Sequence, residues 1–463
     1  MEEYHQPSNH DRPTSSSSST ANDYASKVPP QDLIDVPSRI TANIVSNTRL
    51  TPEKHWQDVR HLTLNLVGGH QYMPGDVLTI YPKNFPSDVS QIIRIMGWTS
   101  IADRSLKFVP CSPSATRLPI PNITTDTSIT LRTLLTNHLD LMSIPRRSFF
   151  AHLAHFTNDP FQRDRLLEFT NPEYIDELYD YTTRPRRSIL EVLQEFESVK
   201  IPWQRVCSVI PALRGRQFSI ASAMEPGATE EQTRVELLIA IVKYRTVIKK
   251  IREGVCTRYI SSLNPGQDIT VTLQKGSLGV NRSMLGKPVV MIGPGTGVAP
   301  MRALIYQRKH WRDGAQNTTA KREGSPKDVL FFGCRNAESD FFFRDEWEEL
   351  KKDALDVFAA FSRDQVQIHR TRLVSLGLTF TDSAQRQKVY VQDLVRQHSA
   401  RVYDTLVKHS GIVYLCGSSG KMPQAVREAL IEAFQTEGDM ARETAEAYLV
   451  GLEKSGRYKQ ETW

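Results

Sequence analysis

Nowhere among the 463 residues is there an apolar run of the roughly 18–20 residues that a membrane-spanning helix needs. The N-terminus is polar and lacks the apolar core of a secretion signal. Cysteine is scarce: the five (Cys111, Cys207, Cys256, Cys334, Cys416) are scattered, odd in number and never spaced C-x-x-C. That pattern argues against a disulfide framework or a zinc site and for reduced thiols in a cytoplasmic protein, with the mitochondrion as the alternative compartment. Basic residues do not cluster with aromatics, so the net charge of +6 carries no nucleic-acid signature. An anionic cofactor would use such a balance equally well. No internal repeat is visible. With 39% hydrophobic and 24% charged residues the composition is that of a globular chain, and the length allows about three domains.

The most informative stretch is Pro288–Ile305, PVVMIGPGTGVAPMRALI. An apolar run breaks into Gly293-Pro294-Gly295-Thr296-Gly297 and then into a helix-competent segment, Val298 to Arg308. Strand, glycine turn and helix aim backbone N–H groups at a phosphate, and Thr296 adds a hydroxyl donor. The spacing is G-x-G-x-G rather than the dinucleotide fingerprint, so an ordinary strand-to-helix turn fits these residues as well.

The remaining chain supplies the context. Residues 1–38 contain a Ser-, Pro-, Asn- and Asp-rich segment and are expected to form a disordered tail. Short β-like runs follow at Arg39–Thr48, Arg60–Val67 and Asp76–Ile80. Residues 87–200 read as a helical insert, with periodic apolar positions in Leu131–Leu141, Ser148–Phe156 and Arg187–Phe196. Strands resume at Arg216–Ser222, Val235–Val242 and Asp268–Leu273, with a helix start at Gly254–Ile260. From Pro288 the rhythm is strand and helix: Val289–Ile292, Val329–Gly333, Leu355–Phe361 and Ile412–Cys416 alternate with helices at Val298–Arg308, Phe343–Lys351, Val391–Val407 and Pro423–Gln435. Such alternation means a parallel sheet with crossover helices. The expected organisation is a β domain over 39–287 carrying the helical insert, then an α/β nucleotide domain over 288–463.

Two further motifs carry chemistry. Arg216-Gln217-Phe218-Ser219 offers a guanidinium fork for a pyrophosphate, a ring for a flat heterocycle and a hydroxyl for its reactive edge. A strand with a surface Arg and a core Phe would read the same. Gly254-Val255-Cys256-Thr257 offers backbone N–H groups at a helix start, or a plain capped turn.

Together, in order and spacing, these motifs resemble the ferredoxin–NADP⁺ reductase module, and more particularly the diflavin reductases such as cytochrome P450 reductase, nitric oxide synthase and sulfite reductase flavoprotein. Tyr72-x-x-Gly75-Asp76, Phe332-Gly333-Cys334-Arg335, Ser362-Arg363, Lys388-Val389-Tyr390-Val391-Gln392 and the terminal Trp463 add to the likeness, which covers about residues 39–463. The wording RQFSIASA, GVCTRYI, CGSSGKMP and GRYKQETW is most similar to the branch that serves cytosolic iron–sulfur assembly. The resemblance implies an antiparallel FAD-binding β-barrel followed by a Rossmann-like NADP-binding domain. It implies that Arg186, Arg216, Gln217, Phe218 and Ser219 hold FAD, with Gly254, Val255, Cys256 and Thr257 on its pyrophosphate and Trp463 over the isoalloxazine. Thr296 would contact the nicotinamide nucleotide, and Ser362, Arg363, Lys388, Val389, Tyr390, Val391 and Gln392 would surround the adenosine 2′-phosphate. A hydroxyl, a guanidinium and an ammonium suit that dianion on physical grounds too, and no carboxylate at 362 or 363 is present to bind a free ribose hydroxyl. NADPH is the expected nucleotide. Ser219, Cys416 and Glu461 stand where the family keeps the serine, cysteine and acid that manage hydride transfer, although Cys416 alone would also read as a plain buried cysteine.

Three positions depart from the family pattern: Ser418 replaces an aspartate, Ala425 an acidic residue, and Gln367–Arg386 is longer than usual. Nothing before Arg39 has the strand–phosphate loop–helix pattern of an FMN domain. The expected activity is therefore NADPH-dependent reduction of FAD without a metal, either in a truncated product or with an iron–sulfur assembly protein or a separate flavodoxin as acceptor. A general flavodoxin or ferredoxin reductase, or a non-catalytic scaffold derived from one, are the alternatives.

Overall fold

The computed structural model describes residues 2–3, 27–109, 120, 123, 127–225, 231–314, 327–352, 355–364 and 388–463. Cys111 and the Gln367–Arg386 stretch lie outside the described residues. Six strands form the first main sheet: β1 (Ile40–Arg49), β2 (Val59–Val67), β3 (Val77–Ile80), β4 (Arg216–Ser219), β5 (Gln232–Ala240) and β6 (Asp268–Gln274), in the order β4-β3-β6-β1-β2-β5. Period-two patterning fixes the register. In β2, Leu62, Leu64 and Leu66 alternate inward and meet Leu237, Val235 and Thr233 of antiparallel β5. An isolated bridge, Ile220 to Leu237, joins the end of β4 to β5 and nearly closes the sheet into a barrel.

The second main sheet is parallel throughout: β7 (Val289–Pro294), β8 (Asp328–Cys334), β9 (Leu355–Phe361), β10 (Ile412–Gly417) and β11 (Tyr458–Thr462), in the order β9-β8-β7-β10-β11. Its central strands read as unbroken apolar runs because both faces are covered. Val290, Ile292, Phe331 and Leu415 pack with helices Val391–Gln397 and Met422–Gly438, whereas Met291, Leu330, Phe332 and Tyr414 pack with helices Val298–Asp313 and Arg344–Leu350.

By contacts the chain forms two compact units, each discontinuous in sequence. The first comprises residues up to Ile44, Thr79–Gln217 and Ile241–Thr272; the second comprises Val45–Leu78, Phe218–Ala240 and Leu273–Trp463. The first contains the helical insert, whose core is built on Phe150, Phe169 and Tyr181, with Phe169 and Tyr181 stacked at 4.6 Å. Ser188 and Glu191 form a capping box that starts the helix Ile189–Glu195.

Several expectations are corrected. The expected disordered tail does not extend to residue 38: Ile34 is buried and exchanges hydrogen bonds with the Thr270 hydroxyl (2.9 and 3.0 Å). Lys83 also donates to the Pro30 carbonyl at 2.7 Å. The helix expected over Val391–Val407 breaks at His398, whose ring stacks 3.7 Å from that of Phe358. Helices Pro86–Met96 and Pro160–Glu168 belong to the block read as helical without being singled out there, whereas helix Arg442–Lys454 and strand β11 were not legible in the sequence.

A buried charge network ties elements of the second unit together. Arg302, on the helix that follows the glycine turn, is only 8% exposed. Its guanidinium donates to Glu236 Oε2 (2.8 Å), to the Ala221 carbonyl (2.9 Å) and to both oxygens of Glu346 (2.7 and 3.0 Å). His61 pairs with the same Glu236 at 3.1 Å. Burial alone would raise the Glu236 carboxyl, but His61 and Arg302 hold it down at about 2. Arg302→Ala leaves Glu236 buried without its guanidinium partner and is expected to cost about 3–5 kcal/mol in denaturant unfolding. A loss below about 1 kcal/mol would place the network among the weak surface ion pairs.

Candidate active site

The glycine turn owes its shape to two close approaches and one left-handed residue. Gly295 has φ +58°, which a side chain would strain. A Cβ on Gly297 would sit 2.3 Å from the Cys416 carbonyl oxygen, so only glycine lets the helix start pack on the end of β10. A Cβ on Gly293 would meet the Gly297 carbonyl at 2.7 Å. The turn Gly295–Gly297 is a single 3₁₀ turn that runs into the helix Val298–Asp313, and Thr296 is half-buried within it.

At the same end of the parallel sheet, β11 sets Cys416 directly opposite Glu461. Burial pushes the Cys416 thiol far up, and the Glu461 charge adds to the shift, so the thiol stays protonated at neutral pH. The Glu461 carboxyl is also raised, first by burial and then by the Asp76 charge. Its Oε2 is buried and has no hydrogen-bond partner among the described residues. Asp76 is fully engaged: its two oxygens accept from the Met73 N–H (2.9 Å) and the Gly276 N–H (3.0 Å). Half-buried Ser219 ends β4, one residue before Ile220, whose N–H donates to the Asp76 carbonyl at 3.1 Å. The structure thus brings Cys416 and Glu461 together and puts Ser219 beside the Asp76 strand. Trp463 is tied by its backbone to Gly417 and Ser419, both at 3.0 Å, with its ring 52% exposed.

On the first unit, Arg216 and Gln217 are exposed on β4. The Arg216 guanidinium reaches the Arg214 carbonyl at 2.5 Å and lies 3.8 Å from Asp140. Arg186 is held left-handed (φ +53°) in the turn that follows Tyr179–Thr183. Gly254 caps the helix Val255–Ser261, and a Cβ there would lie 2.9 Å from both Thr257 Oγ1 and Val242 Cβ. The Thr257 hydroxyl already accepts from the Val242 N–H (3.0 Å). Burial raises Cys256 to about 12, so its side chain is an inert thiol in the core. Phe218, the first residue of its segment of the second unit, is half-buried.

Of the residues expected around the 2′-phosphate, Ser362 and Arg363 follow the end of β9. The Ser362 and Arg363 N–H groups donate to the Cys334 and Arg335 carbonyls (3.0 and 2.8 Å). The Arg363 side chain is exposed, as are Lys388 and Tyr390, while Gln392 is half-buried. Val389 and Val391 depart from the expected role. Both side chains are in the core, which leaves them only backbone groups to offer a ligand. The structure also sets Arg335, which closes the Phe332–Arg335 motif but was not among the candidate site residues, beside Arg363. Sequence reasoning missed Trp56, whose exposed ring lies 3.8 Å from the Arg335 guanidinium and left no motif to find it by.

Two domain families match the chain: the FAD binding domain over residues 35–259 and the oxidoreductase NAD-binding domain over residues 291–428. NADPH-dependent diflavin oxidoreductase 1 of Aspergillus fumigatus is 49% identical over 93% of this chain and 65% of its own length. The protein of the same name from Emericella nidulans is 50% identical over 92% and 64%. The one from Candida albicans is 37% identical over 94% and 69%. The chain belongs to the NADPH-dependent diflavin oxidoreductase family. It spans 65% of the length of the first of these relatives.

Diflavin oxidoreductase membership suits the donor set found here. A buried carboxylate oxygen without a partner, a thiol kept protonated beside it, and exposed arginines fit a redox heterocycle with phosphate groups. No described helix is long and apolar enough to cross a membrane.

The raised Glu461 carboxyl gives a pH prediction with a definite sign. Below the ordinary value of 4.5 the group is neutral both folded and unfolded, and contributes nothing. Above its raised value it is ionised in both states, and the folded state bears the cost of the charge beside Asp76. Glu461→Gln should therefore melt higher than the parent at pH 7, and the gap should close by about pH 4. An equal gap at both pH values would mean that the charge on Glu461 is not what the fold opposes.

Proposed function

We propose that this chain oxidises NADPH with bound FAD and passes the electrons singly to a separate protein acceptor. The observation that carries this reading is the register of β10 and β11, which holds a protonated thiol against a half-buried carboxyl at the end of a nucleotide-type sheet. FAD, when bound, supplies the two-electron to one-electron exchange. Arg186, Arg216, Gln217, Phe218 and Ser219 would hold it, with Gly254, Val255, Cys256 and Thr257 at its pyrophosphate. Thr296 would orient the nicotinamide half of NADPH. Ser362, Arg363, Lys388, Tyr390 and Gln392 would take the 2′-phosphate, and the backbone of Val389 and Val391 would frame them. Glu461 sets a carboxyl raised by burial and the Asp76 charge beside the reacting edge, and Cys416 offers a neutral S–H rather than a charge there. Trp463 would cover the flavin face that nicotinamide needs. The family resemblance supports an acceptor in cytosolic iron–sulfur assembly, or a flavodoxin in its place.

The purified chain should be yellow, with a flavin absorption spectrum, and should reduce ferricyanide faster with NADPH than with NADH. Colourless protein that cannot be reconstituted with FAD would overturn the reading. Arg216→Ala should lower flavin occupancy, because a charge-assisted contact is worth roughly 1.5–3 kcal/mol. Unchanged occupancy would remove Arg216 from the site.

Trp463→Ala should help NADH proportionally more than NADPH, since NADH lacks the phosphate contact with which to displace a ring worth on the order of 1 kcal/mol. The NADH/NADPH ratio of kcat/KM for ferricyanide reduction is the measurement. A ratio equal to the parent's leaves Trp463 as a terminal packing residue.

A further inference from the structure

Arg335 and Arg363 are two cations that repel. Burial and then the Arg363 charge push the Arg335 guanidinium down from its usual value, offset in part by Asp340. Neither guanidinium has an ion-pair partner among the described residues, and their chains are bound together by the hydrogen bond from Arg363 N–H to the Arg335 carbonyl (2.8 Å). What props Arg335 is Trp56, whose ring lies 3.8 Å from the guanidinium carbon and is otherwise 55% exposed. An indole face attracts a guanidinium and holds it in one plane, leaving its N–H edge free for another ligand.

Trp56 is not on a loose loop. The Arg49 side chain donates to the carbonyls of Thr51 (3.0 Å), Pro52 (3.0 Å), Glu53 (3.3 Å) and His55 (3.3 Å). The Thr51 hydroxyl donates to the Gln57 carbonyl (2.8 Å) and accepts from the Val59 N–H (3.1 Å). These bonds draw residues 51–59 into a closed turn with the indole outside it. A large aromatic carried on so rigid a turn and left exposed except over one unpaired cation has a role outside the core.

We infer that Trp56 is a positioning residue for the nucleotide 2′-phosphate. It fixes the Arg335 guanidinium beside Arg363, so that the dianion meets two preset donors and relieves their repulsion on binding. It thereby contributes to the choice of NADPH over NADH. The inference rests on the reading of NADPH as the nucleotide.

Calorimetric titration of the FAD-loaded chain with adenosine 2′,5′-bisphosphate tests it. Trp56→Ala should weaken binding about tenfold, and Trp56→Phe, which keeps an aromatic face, by less than about threefold. The KM for NADPH should rise while that for NADH and the kcat stay at parental values. The double variant Trp56→Ala/Arg335→Ala should bind no worse than Arg335→Ala alone, because Trp56 acts through that arginine. Parental affinity in Trp56→Ala, an equal rise in KM for both nucleotides, or losses that multiply in the double variant would each overturn the role of Trp56. A parent chain that does not bind the bisphosphate would instead overturn the nucleotide reading, and this inference with it.

Discussion

The pairing of the last strand on β10 is the constraint on which the candidate chemistry depends. Five residues, Tyr458–Thr462, would have no reason to be a strand by themselves. The backbone groups of β10 give them one, and the register then leaves no choice: Cys416 faces Glu461, and Trp463 follows at the edge of Gly417. The same end of β10 is the surface on which Gly297 closes the phosphate-type turn. One strand end therefore fixes the thiol, the acid, the terminal ring and the glycine turn relative to one another. Slippage of β11 by one residue would reverse the direction of each of its side chains and remove the acid from the thiol.

Arg302 solves a different problem. Buried ion pairs rarely add stability over an apolar core of the same volume, because desolvation offsets the attraction. Here one guanidinium answers two carboxylates and a backbone carbonyl, and its carbon lies 4.5 Å from the centre of the Phe343 ring. Such a hub orients the helix behind the glycine turn more than it stabilises it. The helix carries the turn at its start, so the orientation of Arg302 is passed to the groups that would meet the nucleotide.

The parallel sheet was legible in the sequence because strands covered on both faces leave unbroken apolar runs, as in Val289–Ile292 and Val329–Phe332. The barrel strands were legible from their period of two. The terminal strand was not, since YKQET has little apolar content and is ordered by its neighbour. The helix Arg442–Lys454 buries only Ala445, Leu449 and Leu452, too sparse a stripe to separate from a polar linker. Among candidate site residues, types with a distinct chemistry, such as Arg363, Cys416 and Glu461, were nameable through the family resemblance. Which of Lys388–Gln392 point outward was not, because the alternation that buries Val389 and Val391 is decided by the sheet beneath them. Trp56 left no trace, for its meaning comes from Arg335, which is far from it in the chain.

Two like-charged pairs are set into this one unit: Glu461 with Asp76, and Arg335 with Arg363. A chain optimised for stability alone would neutralise both, at little structural cost, by one substitution in each. Their signs match what each place is proposed to handle. An acid pair raises a carboxyl where the proposed reaction would move a proton, and a basic pair is relieved by an anion. Repulsion of this kind is tolerated in a fold that the rest of the sheet over-determines, and that between the two arginines would be released by an arriving anion. On the proposed reading, part of the nucleotide's binding energy would be the Arg335–Arg363 repulsion that the folded chain holds before binding, and the indole of Trp56 on its closed turn would keep Arg335 in place to use it.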